Sequence, residues 1–345
     1  MDLVPSDDQE AIVETVGQYL AKARSLPQLR ERLRGERTIE RSAWTGAGNI
    51  GVFSLGLPES SGGSGLPSTE EALVFRELGR HLAPVGFLAS VLAGRLADQA
   101  GADELRDAVA DGSAPVGLGL VRSSGGLGEG TVTGRVEVFD LPAVDHVVLV
   151  ERDGRLALVA ASELGRGAEV PCVDPSTTLT RLEVQGVTPT IVPDQVDAED
   201  IVLLGALLAT AMLVGVAEAT RDMSVSYAKE RVQFGRPIGV NQAIKHRCAD
   251  MGVRCEAASS LLFFASVALR DRRDDAAFQV AAAKRIASDA ARANSRANVQ
   301  IHGGMGYTWE HDAHLYVSRT HVLDHLFGDG VTQRDAVLNQ APAPL

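Results

Sequence analysis

The segment YAKERVQFGRPI, Tyr227–Ile238, follows one long helix-periodic run, and the segment QIHGGMGY, Gln300–Tyr307, ends another. The guanidinium of Arg231 can clamp a pyrophosphate, and the ring of Phe234 can pack on adenine. The pair Gly303–Gly304 leaves the backbone open to close approach by an anionic dinucleotide. Taken singly, the first segment also fits a helix stop with a glycine cap, and the second fits a tight turn. Together they favour a site for a dinucleotide.

The composition is typical of a soluble globular protein, with 45% hydrophobic and 23% charged residues in a chain of 345. A formal net charge of -12 argues against a nucleic-acid surface. Cys172, Cys248 and Cys255 lack metal-ligand spacing and give no disulfide framework, which fits a reducing compartment. The acidic amino terminus lacks the basic start and apolar core of a signal peptide. We therefore expect a cytoplasmic protein.

Two local patterns allow a membrane span and a metal site. The run Ile201–Ala217 is apolar except for Thr210, but it is at the lower limit of spanning length and leads into charged residues. We interpret it as a buried bundle helix and predict no membrane contact. Near the carboxyl end, histidines and aspartates recur at a spacing that can share a helix face. We interpret them as a polar helix and predict no metal. They are His311, Asp312, His314, His321, Asp324 and His325.

The hydrophobic pattern divides the chain into three domains: residues 1–114, 115–195 and 196–345. The first and third have helical periodicity, whereas the second has short β-branched runs broken by Gly, Asp and Pro. The run Gly125–Gly130 does not fit the dinucleotide-binding Gly-x-Gly-x-x-Gly pattern, so we predict a hairpin loop there and no Rossmann unit. The predicted strands are Val116–Val121, Thr131–Phe139, His146–Glu151, Leu156–Ala161 and Leu179–Val187. The predicted helices of the third domain cover residues 199–230, 240–271, 276–302 and 310–326.

One loop and helix start stand out in the first domain. The loop Pro58–Pro67 reads PESSGGSGLP, and Ser68–Glu71 follows with the spacing of a capping box. A helix is therefore predicted to begin at this point.

These motifs, in this order, resemble the acyl-CoA dehydrogenase family. The resemblance covers nearly the whole chain, because the order of helices, small β-domain and helices is also that of the family. It implies a mainly α fold with an N-terminal helical domain, a middle antiparallel β-domain and a C-terminal four-helix bundle. It also implies FAD as cofactor and the α,β-desaturation of an acyl-CoA thioester as the activity.

The family reaction needs a carboxylate base, which is usually a glutamate in a Glu-Gly-Thr turn before the last helix. The matching position here is Asp329, which is one methylene shorter, and proton transfer tolerates little misplacement of the base. Asp329 equally fits a helix cap or a turn. A second family location for the base falls near Gly205, where there is no carboxylate.

Other positions depart from the pattern of flavin-binding relatives. Gly117–Gly125 replaces the usual Thr-Glu-Pro-x-x-Gly-Ser-Asp loop, and Val138 lies near the position of an aromatic residue that covers the flavin. Ala206 lies where many relatives place an arginine near the CoA chain. Small residues around it leave room for a bulky acyl group or serve close helix packing, and we favour packing. They are Gly205, Ala206, Ala209 and Ala211.

The resemblance assigns the best-preserved residues to the cofactor. In the family the two motifs reach across a subunit interface to the adenosine-diphosphate half of a neighbour's flavin. Under that interpretation the cofactor-binding residues are Arg231, Gln233, Phe234, Ile238, Gln242, Gln300, Gly303, Gly304 and Gln333. Gln242 also fits a helix cap, and Gln333 a solvated surface glutamine.

Two functions follow from this mixture of preserved and missing features. The first is an FAD-dependent acyl-CoA dehydrogenase subunit, with Asp329 as base if this chain hosts the chemistry. The alternative is a non-catalytic partner that completes the FAD site of a homologous chain, as in heteromeric bacterial enzymes of the steroid side-chain type. A flavin monooxygenase or oxidase on the same fold is a third option. The expected assembly is a homotetramer or a heterotetramer, which acts on acyl-CoA and passes electrons to a transfer partner.

Overall fold

A computed structural model describes residues 5–23, 25–34, 39–122, 126–128, 130–152, 154–192 and 196–340. Its helices are α1 (Asp7–Ala23), α2 (Leu26–Arg34), α3 (Ser42–Asn49), α4 (Ser68–Arg80), α5 (Val85–Gln99), α6 (Asp103–Ala110), α7 (Ala198–Glu230), α8 (Gln242–Arg270), α9 (Ala276–His302), α10 (Ala313–His325) and α11 (Gly330–Gln340). Its strands are β1 (Val116–Val121), β2 (Leu127–Gly128), β3 (Thr131–Phe139), β4 (His146–Val150), β5 (Leu156–Ala160), β6 (Ala168–Val170), β7 (Leu179–Val187), β8 (Val232–Gln233) and β9 (Arg236–Pro237). The predicted helices and strands are all present, and α11 extends the predicted four-helix bundle.

The described residues form two compact units. One comprises residues up to 32, 72–83 and from 206 onwards, and the other comprises 33–71 and 84–205. The predicted boundaries at 114 and 195 therefore do not coincide with this division by contacts, and the three-domain division stays a prediction.

The second unit combines helices with the β-domain. Its sheet has the strand order β5-β4-β1-β3-β7-β6, with β2 paired to β3. All six residues of β1 are buried, as expected for a central strand. Next to the sheet, the ring of Phe87 in α5 meets Trp44 and Phe53 edge to face, with ring centroids 5.8 and 5.3 Å away. These rings form an apolar core beside β1.

The sheet is mixed, so the prediction of an antiparallel β-domain is wrong at one pair of strands. β1 and β4 are parallel, with Val116 opposite His146 and Leu120 opposite Val150. β3 and β4 run in opposite directions, but they lie on either side of β1. Since β3 is antiparallel to β1, β4 has to be parallel to it. Alternating apolar residues identify a strand but not its neighbour, so this arrangement could not be predicted from the pattern.

The helix that follows the PESSGGSGLP loop begins at Ser68, as predicted, but Glu71 does not act as the capping residue. Its backbone N–H bonds to Pro67 O, and its Oε2 pairs with Nη2 of Arg95 at 3.0 Å. The Glu71 carboxyl is 1% exposed, and burial raises its pKa despite the opposing charge of Arg95. The glutamate is therefore a buried tie to α5.

The first unit is built around α7. Among the described residues, two helices, α7 and α8, are long and apolar enough to span a membrane, and 83% of the apolar stretch of α7 is buried in the protein. This burial confirms that the run from Ile201 belongs to a core helix. On α9, the Asn294 amide donates to Ala217 O at 3.2 Å and to Met251 O at 3.1 Å. Asn294 therefore joins α7, α8 and α9 through hydrogen bonds that an apolar residue cannot make.

Candidate functional site at the end of the bundle

The first motif forms a β-hairpin with a two-residue turn. β8 pairs with β9, and the turn between them consists of Phe234 at φ 52° and Gly235 at φ 77°. Two successive positive φ angles are typical of a type I′ turn, which matches the twist of paired strands. Because α7 ends at Glu230, Gly235 is a hairpin residue, and the interpretation of this segment as a helix stop with a glycine cap is wrong.

The hairpin presents three predicted cofactor ligands to solvent. Phe234 is fully exposed, although its left-handed backbone is unfavourable for a bulky residue. Arg231 is exposed, and its guanidinium makes no hydrogen bond or ion pair within the part of the chain that the structure describes. Gln233 is also exposed, and its amide donates to Val232 O at 2.9 Å. A strained, exposed aromatic beside an unpaired cation is typical of a contact site for another molecule.

The second motif ends α9 and continues as a tight turn. α9 ends at His302, and Gly303 follows with φ 62° and ψ −140°, a conformation that side chains other than hydrogen disfavour. A Cβ added to Gly303 or Gly304 would meet no atom within 4 Å. Both glycines are exposed, as is Gln300 in the last turn of the helix. The backbone here is open to a ligand, as the motif predicts.

A stack of rings brings the two motifs together. The rings of Tyr227, near the end of α7, and His302, at the end of α9, stack with centroids 4.2 Å apart. The centroid of the His311 ring also lies 4.2 Å from that of His302, with the two planes at 46°. Because Tyr227 precedes the hairpin and His302 precedes Gly303, both motifs emerge from the same end of the bundle.

Both stacked histidines favour the neutral form. Burial lowers the pKa of His302, although its Nδ1–H donates to Asn298 O at 2.8 Å, which partly offsets the effect. Burial lowers the pKa of His311 to about 4, and the neighbouring charges of His302, Arg30 and His314 add to the shift. An uncharged stack therefore supports the hairpin and the glycine turn over the physiological pH range.

The other predicted ligands from this region lie at the start of α8. Ile238 is half-buried, in a short 3₁₀ turn between β9 and α8. Gln242 is exposed and is the first residue of α8, whereas Asn241 occupies the N-cap position. Gln242 is therefore available to a ligand and does not occupy the cap position.

Two open grooves that the motifs did not indicate adjoin Gln300. A polar groove of about 570 Å³ lies between α8 and α9, and a more apolar one of about 550 Å³ lies beside α10. The first is lined by Ala243, His246, Arg247, Asp250, Arg254, Ala293, Arg296, Ala297 and Gln300. The second is lined by Arg296, Val299, Gln300, Gly306, Tyr307, Trp309, His314, Val317 and Ser318. Arg247 and Arg254 are seven residues apart on α8, so they share one face of the helix. This spacing is the sequence signal that could have indicated the polar groove, which both residues line.

Asp329 caps the last helix. Its Oδ1 accepts hydrogen bonds from Thr332 N at 2.9 Å, Thr332 Oγ1 at 2.9 Å and Val331 N at 3.2 Å. The pKa of this carboxyl is lowered, and the hydrogen bonds from Thr332 contribute most to the shift. A general base works best with a pKa near the operating pH, so this environment suits a cap better than a base.

Gln333 is buried, so its interpretation as a solvated surface residue is wrong. It is 7% exposed, and its Nε2 donates to Phe327 O at 2.7 Å. The side chain therefore fixes the turn before α11. Its predicted role in cofactor binding stays a prediction.

The structure does not bring Asp329 and Gln333 close to the hairpin within one chain. Lys284 on α9 contacts Gly328 through its Nζ, 2.9 Å from the carbonyl oxygen. His302 lies eighteen residues further along the same helix, which at 1.5 Å per residue is about 27 Å. The predicted site residues thus fall into two groups, at well-separated places on α9.

The departures in the β-domain have structural explanations. Val138 is fully buried in β3, and Ala206 is 8% exposed on α7, so both are packing residues in this chain. Gly117–Val121 belongs to β1, whereas Ser123–Gly125 and Glu129, within the predicted loops, lie outside the described residues. Among the residues that are described, no group of three His, Cys, Asp or Glu side chains is arranged to hold a metal ion. In the histidine-rich segment, Asp312 instead pairs with Arg30 and Asp324 with Arg292.

Two family models match this chain. The N-terminal domain of acyl-CoA dehydrogenases matches residues 6–114, and the C-terminal domain matches residues 201–341. The chain therefore belongs to the acyl-CoA dehydrogenase family. It is 32% identical over 325 residues to the acyl-CoA dehydrogenase IpdE2 of Mycobacterium tuberculosis, and the alignment covers 92% of each protein.

Solved structures share the fold over almost the whole chain. A chain of the ChsE4-ChsE5 complex from Mycobacterium tuberculosis has a TM-score of 0.85 at 26% identity, and covers 99% of this chain and 100% of its own. Butyryl-CoA dehydrogenase from Megasphaera elsdenii has a TM-score of 0.85 at 21% identity, with 98% and 99% covered. The predicted fold class, mainly α with a β-domain in the middle, is confirmed.

Proposed function

We propose that this chain is a subunit of an oligomeric FAD-dependent acyl-CoA dehydrogenase and binds the adenosine-diphosphate half of a flavin at a subunit boundary. The observation that carries the proposal is the hairpin tip. Phe234 is fully exposed in a left-handed conformation, beside the unpaired Arg231 and at the same end of the bundle as the glycine turn. Nothing in the described part of the chain uses these side chains, so a second chain with its nucleotide is the fitting occupant.

The residues present fit the nucleotide chemically. The Arg231 guanidinium matches a diphosphate, and the Phe234 ring offers a face to adenine. Gly303 and Gly304 expose backbone without side chains, and the Gln300 amide can donate to an oxygen or accept from an amine. When bound, FAD supplies the hydride-accepting ring of the dehydrogenation. This chain's contribution is to hold and orient the nucleotide end.

The separation of the predicted ligands supports an oligomer. The hairpin and the glycine turn lie about 27 Å along α9 from the contact of Lys284 with Gly328, the residue that precedes the Asp329–Gln333 segment. One chain therefore carries two half-sites, each of which a neighbour would complete. Exposed apolar side chains on the bundle also favour assembly. They include Val232, Phe234, Val240, Val253, Ile286, Met305, Tyr307, Trp309, Val331 and Leu338.

Within such an assembly, we assign this chain the role of partner to a homologous catalytic subunit. Asp329 acts as a cap, and buried Val138 lies near the position where relatives place an aromatic residue against the flavin. The likeness to a chain of the ChsE4-ChsE5 complex supports a heteromeric assembly. We further propose an acyl-CoA thioester as the substrate of the assembly, with a steroid side chain as the acyl group, and a separate electron-transfer protein as the acceptor.

Purification tests this assignment. The chain expressed alone is expected to carry little FAD, because the residues it contributes complete a neighbour's site. Co-expression with a homologous chain encoded nearby should give a yellow complex with one FAD per pair of unlike chains, measured by absorbance and mass photometry. A yellow homotetramer whose flavin is reduced by acyl-CoA would contradict the partner role. A colourless complex would contradict the flavin site itself.

A second candidate function is desaturation by this chain with Asp329 as base. It is favoured by the position of Asp329 at the family's base location and by its Oδ2, which has no hydrogen-bond partner among the described residues. Asn retains the cap but cannot remove a proton, whereas Ala loses both. We expect Asp329→Asn to leave flavin reduction and stability unchanged, and Asp329→Ala to cost about 1 kcal/mol of unfolding free energy. Loss of anaerobic flavin bleaching in Asp329→Asn would instead identify the base.

A further inference from the structure

Lys284 is a fully buried lysine in the middle of the bundle. It lies on α9, is 0% exposed, and its Nζ donates to Asp324 O at 3.0 Å and to Gly328 O at 2.9 Å. The first carbonyl belongs to the last turn of α10, and the second belongs to the turn that precedes Asp329. A compact ammonium with three donors can satisfy both carbonyls at once.

The same face of α9 also holds the Asp324 side chain. Ser288 and Arg292 follow Lys284 at four-residue spacing, which places the three on one side of the helix. Arg292 Nη2 lies 2.6 Å from Asp324 Oδ2, and the pKa of this carboxyl is lowered although burial opposes the shift. Asp324 is thus fixed by both its backbone and its side chain, and α10 ends at a defined place.

The turn after α10 needs such support because its backbone is strained. Phe327 has φ 54° and Gly328 has φ 96°, and a left-handed conformation is unfavourable for phenylalanine. Gln333 holds the Phe327 carbonyl, and Lys284 holds the Gly328 carbonyl. Asp329 then caps α11, so the turn determines where α11 begins and where the Asp329–Gln333 segment lies.

Burial of the Lys284 ammonium is unfavourable, which indicates that its hydrogen bonds have a structural role. Burial lowers the pKa of Lys284 to about 8, against the attraction of Asp324 and Asp329. An apolar residue of similar length would avoid this cost, but it would leave the Asp324 carbonyl without a donor and the Gly328 carbonyl with only the Gln333 amide at 3.4 Å. The lysine therefore contributes the hydrogen bonds that keep the turn in place.

We infer that Lys284 is a positioning residue for the Asp329–Gln333 segment, which it fixes in place through the carbonyls of Asp324 and Gly328. The inference deepens the proposed function, since this segment is the second half-site of the flavin. Lys284 itself is buried and acts only through the turn.

Two substitutions in the assembled protein test this role. Lys284→Met keeps the length and removes the donors, whereas Lys284→Gln keeps a neutral N–H donor. We expect Lys284→Met to accelerate hydrogen exchange at the amides of residues 330–333 at least about tenfold, and to accelerate FAD release by a similar factor. Lys284→Gln should restore most of the protection. Lys22→Met, an exposed lysine on α1, is the control for loss of charge and should change neither quantity.

The outcomes separate the inference from the proposed function. Unchanged exchange at residues 330–333 in Lys284→Met would overturn the positioning role. Equal acceleration along all of α9, without recovery in Lys284→Gln, would also overturn it, because that pattern indicates a general packing defect. If no form of the assembly binds FAD, the proposed function fails, and the exchange comparison still decides the role of Lys284.

Discussion

Arg231→Ala is expected to raise the dissociation constant of FAD from the assembled protein roughly 10- to 150-fold, which corresponds to about 1.5 to 3 kcal/mol for a lost charge-assisted contact to a diphosphate. The guanidinium is exposed and has no partner among the described residues. Its removal therefore breaks no hydrogen bond or ion pair in the described part of the subunit. Fluorescence titration of the apo-assembly with FAD measures the effect. The melting temperature of the isolated chain should not change.

Arg272→Ala is the matched control. Arg272 is also exposed, but it lies between α8 and α9 at the opposite end of α9 from the glycine turn. The Arg272→Ala variant removes the same charge as Arg231→Ala, so it reports only the long-range electrostatic contribution to FAD affinity. Comparable loss of FAD affinity in both variants would reject a specific clamp at Arg231. FAD retained by Arg231→Ala at nanomolar protein concentration would reject the clamp outright.

The helices and strands could be predicted because their patterns are local. The run from Ile201 is apolar on all sides, as a core helix requires, and the middle domain has short β-branched runs bounded by Gly, Asp and Pro, as strands do. The two motifs also predicted an exposed site, and the structure places them at one end of the bundle through the ring stack of Tyr227 and His302. Their shared location follows from the helix lengths, which the periodicity already gave.

Three features of the structure could not be predicted from the sequence pattern. The hairpin turn at Phe234 requires a left-handed phenylalanine, which sequence preference disfavours. Glu71 has cap spacing, but its carboxylate turns to Arg95 on another helix. Asp329 has the chemistry of both a base and a cap, and only its three hydrogen bonds distinguish the two. For Glu71 a contact outside the local sequence overrides the local pattern, whereas at Phe234 and Asp329 the local pattern itself allows two outcomes.

Small residues on α7 allow close packing of the helices of the bundle. Gly215→Ala is therefore expected to lower the free energy of unfolding by about 3 kcal/mol or more. A Cβ at Gly215 would lie 1.9 Å from Arg76 O, and one at Gly79 would lie 2.2 Å from Met212 O. The backbones of α4 and α7 are therefore in direct contact, and α4 must move to admit a methyl group. Denaturant midpoints of the wild type and the variant measure the loss.

Gly94→Ala on α5 is the control that separates crowding from helix propensity. A Cβ there would lie 3.7 Å from Leu57 Cδ1, an ordinary van der Waals contact, so the gain in helix propensity should leave stability unchanged or raise it by up to about 1 kcal/mol. The contrast bears on substrate binding, because a tolerated Gly215→Ala would show space between α4 and α7 for an acyl chain. A severe loss there, with none at Gly94, would show that the glycine serves close packing and that a bulky acyl group must be accommodated elsewhere in the assembly.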